Sequence, residues 1–157
     1  MGYTIYWYRE KSMDQNIFNY IIHDFSKIQL ELNRNEILLA GPAGNGCPVI
    51  NEKEVSFNGS FNLKGGCCEP FNFERSLNSR KRELEKGNGK YLRYVKTEGL
   101  PYSIAVATFL IIAKHYLKNK INITADDPIS FWEKPRNWCQ HILGYGGDFL
   151  PENNSGG

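Results

Sequence analysis

Apolar side chains recur along the first part of the chain with the spacings of strands and helices. Residues 3–9 carry aromatic or aliphatic side chains on both faces of an alternating pattern, which predicts a covered strand. Residues 12–15, Ser-Met-Asp-Gln, have the spacing of a capping box and predict a helix that runs to about Ser26. Apolar and polar residues then alternate over 28–32. The first part of the chain is therefore predicted to form a strand, a helix and a second strand.

The middle of the chain is predicted to form short strands, followed by one long apolar helix. Further strands are expected at 36–40, 55–58, 68–73 and 91–97, with a glycine-rich loop at 41–46 and a polar segment at 76–89. From Pro101 to about Lys118 the side chains are apolar almost all round. A helix with that pattern is normally buried. We therefore expect the central helix of the fold to lie here.

Three elements are predicted after the central helix. A short strand is expected at 121–124, and Asp127 followed by Pro128 predicts the start of a helical turn. A last helix is expected from Pro135 to Gly144, where the glycine ends it. Beyond it the chain becomes polar and rich in asparagine and glycine.

This order of elements favours an α+β fold. Helices are few and several strands are neighbours in sequence, so we expect a mixed or largely antiparallel sheet. The buried central helix would have two or three helices packed on it. A length of 157 residues suits one domain, which we place at 1–151, with a disordered tail at 152–157.

Composition excludes several classes of protein. Hydrophobic residues make up 41% of the chain and charged residues 23%, with a net charge of +2. A disordered chain would be less apolar, and a protein that binds long nucleic acids would be more basic. The longest apolar run, 104–113, is shorter than the about 20 residues of a membrane span, and the N-terminus lacks a signal-peptide pattern. We expect a cytoplasmic protein with no membrane partner.

Cysteine usage agrees with a reducing compartment. The four cysteines are Cys47, Cys67, Cys68 and Cys139. Adjacent cysteines rarely form a disulfide with each other, so we expect all four to be free thiols. Their spacing does not match a zinc site, and no metal or other cofactor is predicted.

A ligand site is predicted where the strand at 91–97 leads into the central helix. Glu69 interrupts an otherwise apolar strand, and an inward-pointing carboxylate needs a partner or a function. The N-terminus of the following helix would offer free N–H groups to an anion. Arg75 begins a stretch rich in arginine and lysine. The predicted ligand-binding residues are Asn58, Glu69, Arg75, Lys96, Thr97 and Tyr102. The alternative is that Glu69 forms a structural ion pair with a lysine or an arginine.

Four short motifs carry a resemblance to a known family. They are Phe-Asn-Gly at 57–59, Glu-Pro-Phe at 69–71, Lys-Thr-x-x-x-Pro-Tyr-Ser at 96–103 and Leu-Gly at 143–144. The chain resembles a family of uncharacterised hypothetical proteins with Phe-Asn-Gly, Glu-Thr-Phe, Lys-Thr-x-x-x-Pro-Tyr-Asp and a terminal Leu-Gly. Pro70 replaces the threonine and Ser103 the aspartate of that pattern. The resemblance implies one compact fold with a polar pocket and assigns no activity.

Aromatic, basic and amide side chains together favour a nucleotide-like ligand. Aromatic rings stack on bases, arginine and lysine hold phosphate, and asparagine and glutamate contact base or ribose edges. We expect a small intracellular protein that binds or sequesters a nucleotide-like signalling molecule. By analogy, such proteins include phage-encoded antagonists of bacterial immune signalling.

Two other functions remain alternatives. The first is an enzyme that acts on a nucleotide-like substrate, with Glu69 as general acid or base and Lys96 as electrostatic stabiliser. The sequence shows no nucleophile–base pair and no catalytic residues are assigned, which favours binding over catalysis. The second is a protein–protein interaction module that uses exposed tyrosines and tryptophans. A homo-oligomer is compatible with each of these functions.

Overall fold

The described part of the chain contains three α-helices and two antiparallel sheets, an α+β fold as predicted. The structure is a computed structural model that describes residues 3–62, 65–77, 84–86 and 89–152. The helices are α1 (Gln15–Arg34), α2 (Ser103–Leu117) and α3 (Glu133–Leu143). Short 3-10 helices lie at Lys118–Lys120 and Ile129–Trp132. Most of the polar segment expected at 76–89 lies outside the described residues.

Eight strands form the two sheets. They are β1 (Thr4–Arg9), β2 (Leu39–Ala40), β3 (Val49–Ile50), β4 (Glu54–Gly59), β5 (Phe71–Glu74), β6 (Leu84–Lys86), β7 (Lys90–Lys96) and β8 (Ile121–Ala125). The first sheet has the order β6-β7-β1-β8, and in the second β4 pairs with β2, β3 and β5. Every pair is antiparallel. β1 lies between β7 and β8; Ile5 and Trp7 are buried on one of its faces, whereas Tyr6 and Tyr8 on the other are half-buried.

Helix α1 is longer than the sequence pattern predicted. The strand expected at 28–32 is wrong, because these residues form later turns of α1. Ile28 and Leu32 continue the buried stripe that begins at Phe18, whereas Leu30 is 60% exposed. The stripe has the spacing of one helix face and not that of a strand. The predicted capping box is also wrong, since the side chain of Asp14 accepts the hydrogen bonds of the first-turn amides.

Helix α2 is the buried central helix, as predicted. The ring centroid of Phe109, in α2, lies 5.2 Å from that of Phe25 in α1. It lies 5.2 and 5.0 Å from the ring centroids of Phe71 and Phe73 in β5. The aromatic contacts extend to β1, where the ring of Trp7 lies 5.3 Å from Phe71. Aromatic pairs at these distances add to the stability that burial alone supplies. The core is therefore an aromatic cluster built around α2.

Tryptophans contribute to the interior and not to the surface. Trp7 and Trp132 are fully buried, and Trp138 is half-buried. The expectation that exposed tryptophans form a protein interface is wrong for these residues. The most exposed aromatic rings belong instead to Tyr20 and Phe61.

The segment after α3 returns to the first sheet. The backbone N–H of Glu152 donates to the carbonyl of Ile123 in β8 at 2.7 Å, and its carboxylate accepts a hydrogen bond from Asn122. The disordered tail predicted to start at 152 therefore begins after this residue at the earliest, and 153–157 lie outside the described residues. Within the described part of the chain, no helix is long and apolar enough to span a bilayer.

Candidate functional site

Several of the predicted ligand-binding residues meet where residues 67–70 cross between β7 and α2. The backbone N–H of Glu69 donates to the carbonyl of Lys96 at 3.2 Å, and the N–H of Lys96 donates to Glu69 Oε1 at 2.9 Å. The hydroxyl of Tyr102 donates to the carbonyl of Glu69 at 2.6 Å. The segment around Glu69 is thus held against the chain between β7 and α2, and three of the predicted residues lie together.

The polar atoms of Asn58 and Thr97 are used within the fold. Asn58 is 2% exposed, and its amide nitrogen donates to the carbonyls of Pro42 and Cys68 at 3.1 and 2.9 Å. Its oxygen accepts from the backbone N–H groups of Gly59 and Cys68. The hydroxyl of Thr97 donates to the carbonyl of residue 3 and accepts from the N–H of residue 99. Since buried polar groups need such partners, these two side chains have structural roles.

The N-terminus of α2 does not offer the free N–H groups that the sequence predicted. The N–H groups of residues 103–105 donate to the carbonyls of 100–102 at 2.8 to 3.1 Å. A turn preceding the helix therefore supplies acceptors that an anion would otherwise provide. The free N–H groups on which the predicted anion site rested are therefore not present at residues 103–105.

Glu69 and Arg75 also differ from expectation. Glu69 precedes β5 and does not interrupt a strand, and its carboxylate bonds the backbone of Lys96 and not the ammonium group. Arg75 donates to the carbonyl of Met13 at 2.9 Å. Its neighbour Glu74 pairs with Glu54, the first residue of β4, whereas Asn58 lies near the other end of that strand. Arg75 is therefore separated from the other predicted residues by most of a strand.

The cavity next to the predicted site contains little of it. Its volume is about 320 Å³, and it is lined by residues 35–38, 59–60, 65–66 and 101–102. Of the six predicted residues only Tyr102 belongs to this lining. Its hydroxyl is already committed to the carbonyl of Glu69, and burial raises the pKa of that phenol far above its usual value. This cavity therefore offers few polar groups to a ligand.

A larger cavity lies at the opposite, C-terminal end of α2. It has a volume of about 880 Å³. Ile111, Lys114 and His115 of α2, Gln140 of α3 and the segment 144–150 line it. We call it the α2 cleft. Its volume falls in the range of roughly 300–1,000 Å³ that small-molecule sites occupy.

A buried carboxylate organises one wall of the α2 cleft. Asp24 of α1 is 9% exposed, and its Oδ2 accepts hydrogen bonds from the hydroxyls of Tyr116 and Tyr145, each at 2.6 Å. The ring of Tyr145 stacks on the imidazole of His115, with centroids 3.6 Å apart and planes 9° apart. One side chain from α1 thus fixes the orientation of a flat aromatic pair at the cleft.

The two phenols keep their protons at physiological pH. Burial and the hydrogen bond to Asp24 raise the pKa of Tyr116 to about 12. The same causes, burial first, raise the pKa of Tyr145 well above its usual value. Both hydroxyls therefore remain hydrogen-bond donors to the carboxylate.

The glycine-rich segment at 144–147 forms another wall. Gly144 has a φ of 86° and ends α3 in the left-handed conformation, as the sequence predicted. Gly146 has a φ of 95°, and a Cβ there would lie 2.7 Å from Cγ2 of Ile111. The N–H of Gly147 donates to Oε1 of Gln140 at 3.1 Å. The backbone of this segment therefore packs directly on α2 and α3.

Cations dominate the α2 side of the cleft. The ammonium group of Lys114 donates to the carbonyl of Ile121 at 2.7 Å. Burial lowers the pKa of Lys114, and Lys90 adds to this while Glu152 opposes it. Burial and the nearby Lys118 likewise lower the pKa of His115. The positive charges here are therefore those of Lys114 and of Lys118 close by, and neighbouring positive charges favour an anionic ligand.

The arrangement is suited to binding an organic anion more than a metal. Among the described residues, no group of three or more His, Cys, Asp or Glu side chains is placed to hold a metal ion. The sequence prediction missed the α2 cleft because its residues come from three separate segments. A local signal was present in Gly-Tyr-Gly-Gly at 144–147 and in the basic residues at the end of α2, which were interpreted only as helix-end features.

Comparison with other proteins leaves the site to be interpreted from its own geometry. No protein-family model matches the chain, and no curated protein or solved structure shows significant similarity to it. The resemblance based on four short motifs therefore stays a prediction. Since one fold can support many functions, the site's chemistry has to support any functional proposal.

Proposed function

We propose that this chain is a small-ligand-binding protein whose ligand is a nucleotide-like anion held in the α2 cleft. The ligand class is the one that the sequence favoured, but the proposed binding site is different. The site lies at the C-terminal end of the central helix and not at its N-terminal end. The observation that carries the proposal is the stacked pair of His115 and Tyr145 at the edge of an 880 Å³ cleft.

Preorganisation supports the proposal. A flat ring that is already fixed costs little conformational entropy when a planar ligand packs against it. Here Asp24 fixes Tyr145 through a 2.6 Å hydrogen bond, and Tyr145 in turn supports the imidazole of His115. His115 is itself exposed. A nucleobase is a planar group that can pack on such a surface.

Charge and backbone access support an anionic group on the ligand. Lys114 and His115 line the cleft, and Lys118 is close enough to influence His115. Charge-assisted hydrogen bonds from such groups to phosphate are about twice as strong as neutral ones. Nothing lies within 4 Å of the position that a Cβ of Gly144 would take, so a ligand can approach the backbone there. One ligand can therefore combine a stacked base with a phosphate on the basic side.

We propose binding without turnover, as in proteins that sequester a signalling nucleotide. The buried carboxylate of Asp24 is engaged by two phenols through one oxygen, so it is poorly placed to act as a base. The catalytic alternative rests on Glu69, which lies outside the α2 cleft and accepts a hydrogen bond from a backbone amide. Sequestration requires the ligand to be recovered intact.

Calorimetric titration with a panel of nucleotides tests the proposal. The panel contains AMP, ADP, cyclic AMP, cyclic GMP and ADP-ribose, and the recovered ligand is checked by mass spectrometry. We expect at least one to bind and to be recovered unchanged. His115→Ala should weaken its binding tenfold or more, because the stacked surface and a donor are lost. His23→Ala is the matched control, since His23 is exposed on α1 and does not line the cleft.

A variant at the other end of α2 separates the two sites. Lys96 is exposed, so Lys96→Ala should fold normally. If Lys96→Ala weakens binding and His115→Ala does not, the ligand lies at the site predicted from sequence and the proposal for the α2 cleft is wrong. If no member of the panel binds to wild-type protein, the proposed ligand class is wrong.

A further inference from the structure

His115 lies among more cations than available anions. Lys114 lies on the same helix and Lys118 directly follows it, and the rings of Tyr116 and Tyr145 lie 4.9 and 3.6 Å from that of His115. The acidic groups near it are the buried Asp24 on α1 and the exposed Asp148 in the cleft lining. The charge of the imidazole therefore depends on how these two carboxylates are engaged.

Asp24 is poorly available as a counter-ion for an imidazolium. Both phenols donate to the same oxygen, Oδ2, at 2.6 Å. Neither of the two salt bridges between described residues involves Lys114, His115 or Lys118. A proton added to His115 in the unliganded protein would thus place a further positive charge beside two lysines without a paired carboxylate. Burial and Lys118 disfavour that form, in agreement with the lowered pKa of His115.

We propose that the ligand carries a phosphomonoester dianion and that His115 takes up a proton when this dianion binds. The inference rests on the function proposed above and specifies the ligand's charge. The dianion would supply the counter-charge that neither the engaged Asp24 nor a salt bridge to Asp148 gives to His115, so that the imidazolium donates a hydrogen bond to a phosphate oxygen. The proton comes from solvent, and no covalent bond is formed or broken.

Coupling between proton uptake and ligand binding determines how the affinity depends on pH. A group that binds a proton more tightly in the complex than in the free protein makes the affinity fall as the pH rises between its two pKa values. The limit is tenfold in affinity per pH unit for one proton. Phosphomonoesters have a second pKa of about 6, so the ligand itself stays dianionic above pH 6.5. Loss of affinity between pH 6.5 and 8.5 therefore reports on the protein.

NMR titration of the histidines tests the proposal on the wild-type protein. The chain has three histidines, so His23 and His141, both exposed, serve as internal controls. The probes are AMP and adenosine, which differ by the phosphate. With AMP at saturation, the pKa of His115 should rise by one unit or more while those of the other two stay unchanged. With adenosine, all three should stay unchanged.

Calorimetry in buffers of different ionisation enthalpy measures the proton directly. At pH 7.0 we expect AMP binding to take up a measurable fraction of a proton, and His115→Gln to abolish the uptake. If AMP binds with no uptake, or if adenosine binds as tightly as AMP, the inference about charge is overturned while the ligand-binding function stands. If AMP and adenosine both fail to bind but a cyclic nucleotide binds, the dianion requirement is likewise overturned. If no nucleotide binds, the function itself fails.

Discussion

Replacing Asp127 by asparagine is expected to stabilise the protein at neutral pH. Asp127 follows β8 and is 7% exposed. Neither carboxylate oxygen has a hydrogen-bond partner on another described residue. Burial raises the pKa of this group from 3.8 to about 6; the residue's own backbone N–H opposes the shift only in part, and Asp126 adds to it. The folded protein therefore has to accommodate a charge that the environment does not compensate.

The magnitude follows from the shift in pKa. A difference of about two units corresponds to about 3 kcal/mol of stability lost when the carboxyl group is ionised. Asparagine removes the charge but leaves a polar amide in the same place. We therefore expect Asp127→Asn to raise the free energy of unfolding at pH 7.5 by about 1–3 kcal/mol.

The pH dependence has a definite sign. Because the folded-state pKa lies above the unfolded-state value, the folded protein binds the proton more tightly. The contribution of Asp127 to stability is most favourable below pH 3.8 and is lost as the pH rises towards 6. The advantage of Asp127→Asn over the wild type should therefore be full above pH 6 and should shrink between pH 6 and pH 4.

Urea unfolding of both proteins at pH 4.5, 5.5, 6.5 and 7.5 measures this difference. Asp126→Asn is the control, because this neighbouring carboxylate is exposed and its removal should change stability by less than about 1 kcal/mol. Taking the difference between variant and wild type cancels the titration of all other groups. A variant that is less stable than wild type at pH 7.5 would show that the ionised carboxylate has a favourable partner, and would refute the reasoning.

Two further predictions concern packing and thiol chemistry. Gly146→Ala should cost about 2–4 kcal/mol, because its Cβ would lie within 3 Å of Ile111 and of Cys139. Gly144→Ala, with a similar φ and nothing within 4 Å, should cost only about 1 kcal/mol; equal losses in thermal unfolding would contradict the packing argument. All four cysteines are free. In native protein a disulfide reagent should modify the exposed Cys47 first, whereas burial raises the pKa of Cys139 to about 12 and should delay its reaction until unfolding; equal rates would contradict this.

The sequence determined the elements whose pattern depends on burial alone. The largely apolar character of 101–118 predicted the buried central helix, and alternation at 91–97 predicted β7 almost to the residue. Such patterns are readable because burial of apolar surface is the largest favourable contribution to folding and repeats with the period of the element. The same pattern misled at 28–32, where three alternating apolar residues are also compatible with a helix once the stripe from Phe18 is followed further.

Only the tertiary structure decided where polar groups meet. Asp24 and Tyr145 are 121 residues apart in the chain, yet they share a 2.6 Å hydrogen bond at the α2 cleft. At the other end of α2, a preceding turn occupies the N–H groups that the sequence had offered to an anion. A residue's type states which hydrogen bonds it can form, but not which of its many potential partners the fold brings within 3 Å. The polar site was therefore set by long-range packing of helices, and the apolar core by local pattern.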